Sequence, residues 1–187
     1  MPVTTLDPKT ALIVIDLQNG IVAMPGAHPM ETVVKNAVTL ADAFREQGLP
    51  VVLVNVDRAA PGRTELARPP QQFPAGWTDL IPELKQQPKD HLVTKRTWGA
   101  FMHTDLDAYL KSAGVTQVVI VGVSTSAGVE STARQAYEHG YNVTLAVDAM
   151  TDRDPDTHTN SVTRIFPKLG ETGTTAEIVA LLSGRSA

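Results

Sequence analysis

A chain of 187 residues, 42% hydrophobic and 19% charged, has the size and make-up of one globular domain with its own core, which excludes a disordered or fibrous chain. Its formal net charge of -4 leaves no basic excess to neutralise phosphates and argues against nucleic acid as the main partner. Cysteine is absent, so disulfides, thiolate chemistry and Cys-ligated metal are excluded together. The opening MPVTTLDPKT has neither a basic start nor a long apolar stretch, and no segment approaches the ~20 apolar residues of a membrane span; a cytoplasmic protein with no membrane partner is expected.

The first element is the apolar run ALIVID, Ala11 to Asp16, which suits a central parallel strand covered on both faces. Gln18, Asn19 and Gly20 break it. A helix is predicted from about Met30 to Gln47, where Val33, Val34, Ala37, Leu40, Ala41 and Phe44 recur at helical spacing and Gly48 stands as the cap. Val51 to Val56 reads as a second buried strand. From Ala59 to Gly76 the chain is rich in Pro, Gly and Arg without a period, the mark of a long loop able to cover a site. A short helix is predicted around Thr78 to Lys85 and a third strand from about His91 to Arg96. Thr104 or Asp105 can cap the next helix, whose buried stripe is Leu106, Tyr109 and Leu110.

The segment from Gln117 to His139 then gives an unbroken apolar strand, Gly122, a Ser/Thr cluster and helix-spaced residues: a buried strand, a sharp turn and a helix. A fifth strand spans Asn142 to Val147 and delivers Asp148 and Asp152 at its far end. A helix from about Asp156 to Phe166, a short edge strand and a last helix complete the chain. Strands and helices alternating in this way call for right-handed crossovers and an α/β, three-layer, doubly wound fold. Its sheet would have about six strands, mainly parallel, with helices on both faces.

In such a sheet, ligands collect beyond the carboxyl ends of the strands, and a helix that begins there points free backbone N–H groups at them. Asp16, Lys95 and the turn from Ser124 to Gly128 would all lie at that edge. Taken singly, an Asp at a strand end is more often a helix cap, and a Lys in HLVTKRT more often a solvated end. Ser126 is the best serine nucleophile on offer, yet no histidine stands in an adjacent motif to activate it, and a helix N-cap is its more ordinary role.

Three blocks together resemble the isochorismatase-like, or cysteine hydrolase, superfamily over nearly the whole chain: ALIVIDLQNG at Ala11 to Gly20, VTKRTWGAFMHTDLDAYL at Val93 to Leu110, and VIVGVSTSAGVESTARQAYEHGY at Val119 to Tyr141. The resemblance implies an Asp, Lys and Cys catalytic set. Asp16 and Lys95 carry over, whereas Gly128 stands where the family has its nucleophilic Cys. It also implies a cis peptide in the preceding turn, at Val123 to Ser124, and a homodimer or homotetramer. Some relatives bind metal near the second strand through His and Asp; no histidine follows Asp57 within the expected loop, so no metal is expected here, nor any other cofactor.

Without a thiol, covalent acyl transfer of the family type is lost. The namesake isochorismatases, which also resemble this chain in lacking Cys at that position, hydrolyse an enol ether, for which one acid and charge management suffice. Asp16 is then the expected acid and Lys95 its partner, with Gly128 letting a small anionic substrate approach the helix N-terminus. The expected substrate-binding residues are Gln18, Asn55, Trp98, Phe101, Ser124 and Thr125; for Trp98 and Phe101, as for Trp77, core packing is an equal contender. Two other readings stay open: amide hydrolysis by activated water, and an inactive member kept for binding or assembly.

Overall fold

The computed structural model describes residues 2–65 and 73–184. Six strands form one parallel sheet in the order β3-β2-β1-β4-β5-β6: β1 (Thr10–Ile15), β2 (Val51–Val56), β3 (His91–Lys95), β4 (Gln117–Val123), β5 (Asn142–Thr151) and β6 (Glu171–Gly173). Helix α1 (Asn19–Val22) follows β1, α2 (Met30–Glu46) leads to β2, and α3 (Leu106–Ser112) lies between β3 and β4. A π-helical turn over Thr125–Val129 runs into α4 (Glu130–Glu138). After β5 come α5 (Pro155–Asn160), a second π-helical turn over Ser161–Ile165 and α6 (Phe166–Leu169); α7 (Thr175–Ser183) follows β6. This is the doubly wound α/β architecture that the pattern of the sequence calls for.

Period-two alternation divides the two central strands between two cores. Ala11, Ile13 and Ile15 of β1, with Val118 and Ile120 of β4, pack under Leu106, Leu110, Ala133, Ala136 and Phe166 from α3, α4 and α6. Leu12 and Val14, with Val119, Val121 and Val123, pack under Val33, Ala37, Leu40, Ala41 and Phe44 of α2 and Ile178 and Leu182 of α7. Every residue of β1 and of β4 is buried, which is why both read as continuous apolar runs rather than alternating ones.

Several boundaries differ from expectation for local reasons. The helix expected over Thr78 to Lys85 is a single 3-10 turn, Pro82–Leu84, because Ile81 stays extended and Lys85 turns left-handed at φ 46°. The fifth strand runs on to Thr151, past a register shift opposite Ile120 and Gly122, and so carries Asp148 within it. Beyond β5 the helix is broken in three by the π turn at Ser161–Ile165. Leu106 N donates to Thr104 Oγ1 at 3.3 Å at the start of α3, which makes Thr104 the residue closing that helix end.

The order of strands reverses between β1 and β4, so their carboxyl ends splay apart and leave a crevice there. The close approach of these strands depends on Gly122, at φ 114°, where an added Cβ would stand 2.0 Å from the Ile15 carbonyl oxygen. Gly122→Ala is expected to destabilise the fold by more than about 3 kcal/mol in urea unfolding, because backbone rather than a side chain must give way. A loss under about 1 kcal/mol would contradict this packing.

Candidate active site

At the crevice, β1 gives way to Asp16 in the left-handed region at φ 52°, a conformation that costs a non-glycine residue about 1 kcal/mol. The bend turns the carboxylate toward β3, two strands or about 10 Å away. From there Lys95, at the last position of β3, reaches back across β2, and its Nζ stands 2.7 Å from Asp16 Oδ2. Lys95 Nζ also donates to the Thr97 carbonyl at 3.2 Å. Both side chains are buried, the two residues being 4% and 2% exposed.

Only one carboxylate oxygen of Asp16 is occupied. Oδ1 is buried and has no hydrogen-bond partner among the described residues. Burial pushes the Asp16 carboxyl up to about 6; the Lys95 ammonium pulls the other way, through its charge and its hydrogen bond, and does not offset the loss of solvent. An ionised carboxylate with a buried oxygen left unpartnered is costly, which raises the affinity of the site for a proton.

Asp16 and Lys95 lie in the wall of a cavity of about 480 Å³ at the switch point. Ser124, Ala127 and Gly128 close one side, and the bond from Val123 to Ser124 is cis, as the resemblance implies. Trp98, Trp77, Phe73, Ile21, Met24 and Val56 make the apolar walls, with Phe73 and Trp77 stacked at 3.9 Å between ring centroids. A Cβ on Gly128 would come 3.4 Å from Asp16 Oδ2 and 2.9 Å from Ile15 Cγ2, so a side chain here would crowd the acid and its neighbour. Ala59, Phe73 and Pro74, from both ends of the long segment after β2, reach the cavity; residues 66–72 of that segment lie outside the described residues.

Of the expected site residues, Asp16, Lys95, Gly128, Ser124 and Trp98 meet at this cavity, and four do not. Gln18 is fully buried: its amide accepts from Val56 N at 2.8 Å and donates to Val56 O at 3.1 Å, which satisfies a backbone unit at the end of β2. Asn55 faces away because neighbours on a strand point to opposite sides and Val56 takes the cavity side; its amide instead joins Thr78 O and Thr94 Oγ1. Phe101 is packed into the core below α4, stacked with His139. Thr125 is fully buried and held by His158, whose ring Nδ1 lies 2.8 Å from its hydroxyl.

Ser126 is neither a nucleophile at the cavity nor a helix cap. Its N–H and hydroxyl both donate to Asp152 Oδ2, at 2.7 and 2.8 Å, so the buried carboxylate of Asp152 caps the turn. The sequence reading also missed Arg153, which borders the cavity with Arg58 and donates to Met24 Sδ. Neither guanidinium has an acidic partner among the described residues, whereas Arg96 is paired with Asp57 at 3.1 Å. That pairing occupies the carboxylate of Asp57, which is followed by no histidine before His91 to complete a metal site. No three His, Asp or Glu side chains converge at ligand spacing among the described residues, so the donor set for such an ion is not assembled.

A doubly wound α/β domain with a buried acid and ammonium at its switch point defines the class of the protein, and comparison with known proteins supplies the family. Residues 10–177 match the family model described as Isochorismatase domain, and the chain belongs to the isochorismatase family of hydrolases. It is 40% identical over 178 residues to the uncharacterized isochorismatase family protein YwoC of Bacillus subtilis (strain 168), covering 91% of this chain and 93% of that one. The structure of an isochorismatase family protein from Burkholderia thailandensis superposes with a TM-score of 0.92 at 42% identity, over 96% of this chain and 98% of that one. The ureidoacrylate amidohydrolase RutB of Pseudomonas savastanoi pv. phaseolicola (strain 1448A / Race 6) is 28% identical over 178 residues, 79% of this chain and 73% of its own. Among the described residues no helix is long and apolar enough to cross a membrane.

The buried pair makes stability depend on pH. Asp16 has a higher pKa folded than unfolded, so its contribution is fully present below about pH 4 and is lost as pH rises through about 6. Removing Lys95 leaves the carboxyl still harder to ionise. Lys95→Met is therefore expected to cost about 3 kcal/mol at pH 8 in urea unfolding and distinctly less at pH 5, where Asp16 is already largely neutral. Equal losses at the two pH values would contradict the placement of this pair.

Proposed function

We propose that the protein hydrolyses a small anionic enol ether by acid catalysis, without a covalent intermediate, Asp16 being the acid. The observation that supports this reading most is the Asp16 carboxyl itself: raised to about 6, tied to Lys95 through Oδ2, with no partner for Oδ1 among the described residues, and carried by a residue that lines the cavity. A proton on the Asp16 carboxyl passes to the vinyl carbon of the substrate, whose π pair forms the new C–H bond and leaves an oxocarbenium centre. Water adds to that centre and returns a proton to Asp16. The resulting hemiketal then collapses, its C–O bond breaking to release an alcohol and leave a carbonyl.

Lys95 holds the carboxyl in place and balances the charge it acquires after proton transfer. Arg58 and Arg153, with no carboxylate of their own among the described residues, supply the positive rim that an anionic substrate requires, while Trp98, Trp77 and Phe73 enclose an apolar body. Gly128 keeps the approach to Asp16 clear, in the place that the family's nucleophilic Cys would take. No cofactor enters any of these steps. A homodimer or homotetramer belongs to the same reading: Trp98, at the rim of the cavity, stays 66% exposed in the single chain.

Amide hydrolysis is the second reading, favoured by the likeness to RutB, with Asp16 as the base that activates water. The two make opposite demands on Asp16. As an acid it gives log kcat/KM falling by one unit per pH unit above about 6; as a base it gives a rise up to that value. An inactive binding protein would have no need of a buried, converging acid and ammonium. Assay of a panel of carboxylated enol ethers against a panel of amides is expected to show turnover of the former with the falling profile, lost by at least a hundredfold in Asp16→Asn. Full activity of Asp16→Asn, or amide turnover with a rising profile, would overturn the reading.

A second variant tests the space beside the acid. Gly128→Ala places a methyl about 3.4 Å from Asp16 Oδ2 and crowds Ile15 Cγ2, so kcat/KM is expected to fall at least tenfold while unfolding in urea shifts by about 1–2 kcal/mol. Unaltered kcat/KM would show that substrate does not pass there.

A further inference from the structure

The turn that carries Ser124 and Gly128 is held from behind by groups that do not touch the cavity. Thr125, fully buried and next to Ser124, places its hydroxyl 2.8 Å from His158 Nδ1 on α5. The His158 ring also packs against His28, with 4.5 Å between centroids at a tilt of 58°. His28 belongs to the loop between α1 and α2, and both its backbone N and its ring Nδ1 lie 3.1 Å from Thr151 Oγ1. The same loop brings Met24 to the cavity wall, and its Ala27 N donates to Asp152 O at 2.7 Å. A second tie joins the later π-helical segment to the first residue of α4, Ser161 Oγ donating to Glu130 Oε2 at 2.6 Å.

We infer that His158 is a positioning residue of the hydrolase: through Thr125 it fixes the turn that presents Ser124 and Gly128, and through His28 it locks that turn to the loop bearing Met24. Three observations converge on this. Thr125 has no solvent to replace the bond to His158, so losing it leaves a buried hydroxyl unpaired. The π-helical winding of Thr125–Val129 departs from the α-helix it leads into and so needs external ties to keep its geometry. Burial, and then the neighbouring His28, lower the pKa of His158 against the pull of Asp152, so its ring serves as a neutral hydrogen-bonding group rather than as a charge.

The assignment rests on reading this turn as part of the active site, but its test does not need a substrate. In hydrogen exchange read by mass spectrometry, His158→Leu and the near-isosteric Thr125→Val are each expected to speed exchange of segments 123–129 and 23–29 at least tenfold. Exchange of β1 should stay at its wild-type rate. His158→Asn, whose amide can stand where Nδ1 stands, is expected to restore both segments to within threefold of wild type.

On a carboxylated enol ether that the wild type turns over, kcat should fall at least tenfold in His158→Leu, with KM within twofold. The double variant should lose no more than either single one. Wild-type exchange in His158→Leu and Thr125→Val, loosening that spreads to β1, or a His158→Asn variant no better than His158→Leu would overturn the inference. If the turn loosens as expected while Asp16→Asn keeps full turnover, the acid mechanism fails and the clamp stands.

Discussion

One buried contact, Asp16 to Lys95 at 2.7 Å, sets the terms for the rest of the site. Two ionisable groups taken out of water are a burden to the fold unless each is well satisfied, and here one oxygen of the acid has no partner among the described residues. Everything that brings them together is expensive in its own way: a left-handed backbone at Asp16, a lysine stretched across a strand, and a glycine at position 122 where strands crowd. Features of this kind gather at functional sites, where the surrounding structure holds what local preference resists. The fold supplies that support through two apolar cores, one on each face of the two strands that diverge at the site.

The electrostatics set the chemical roles open to Asp16. Proximity of an ammonium ordinarily keeps a carboxyl ionised, and burial opposes it; here burial prevails and brings the pKa to about 6. A carboxyl poised there can hold a proton near neutrality and give it up, which is the property a general acid requires. With no thiol in the chain and Ser126 committed to Asp152, proton transfer is the chemistry for which the cavity is best equipped. On the proposed reading, the surrounding cations and aromatic walls hold an anion with an apolar body.

Much of this was legible in the sequence, and the exceptions share a cause. The unbroken apolar runs at Ala11 to Ile15 and Val118 to Val121 announce central parallel strands, and so place Asp16 and Ser124 at one edge. The burial of Lys95 against Asp16 was legible only through the family motif, since nothing local tells a buried lysine from a solvated one. Gln18 and Asn55 misled because position along a strand end does not reveal which backbone groups lack partners, and their amides are spent on those. Phe101 and Thr125 face inward for reasons of packing that one-dimensional spacing does not carry. Arg153 and His158 come from the segment after β5, and their roles, like that of Asp152, emerge only when the turn at Thr125–Val129 is set against them.

The account stands on Asp16 being an acid held near neutrality by burial, and that is open to direct measurement. Titration of the Asp16 carboxyl carbon by NMR, assigned through the Asp16→Asn variant, is predicted to give a midpoint near 6 in the free protein. A midpoint at or below 4, the ordinary range for an aspartate, would mean that Lys95 keeps the group ionised and would contradict acid catalysis by Asp16.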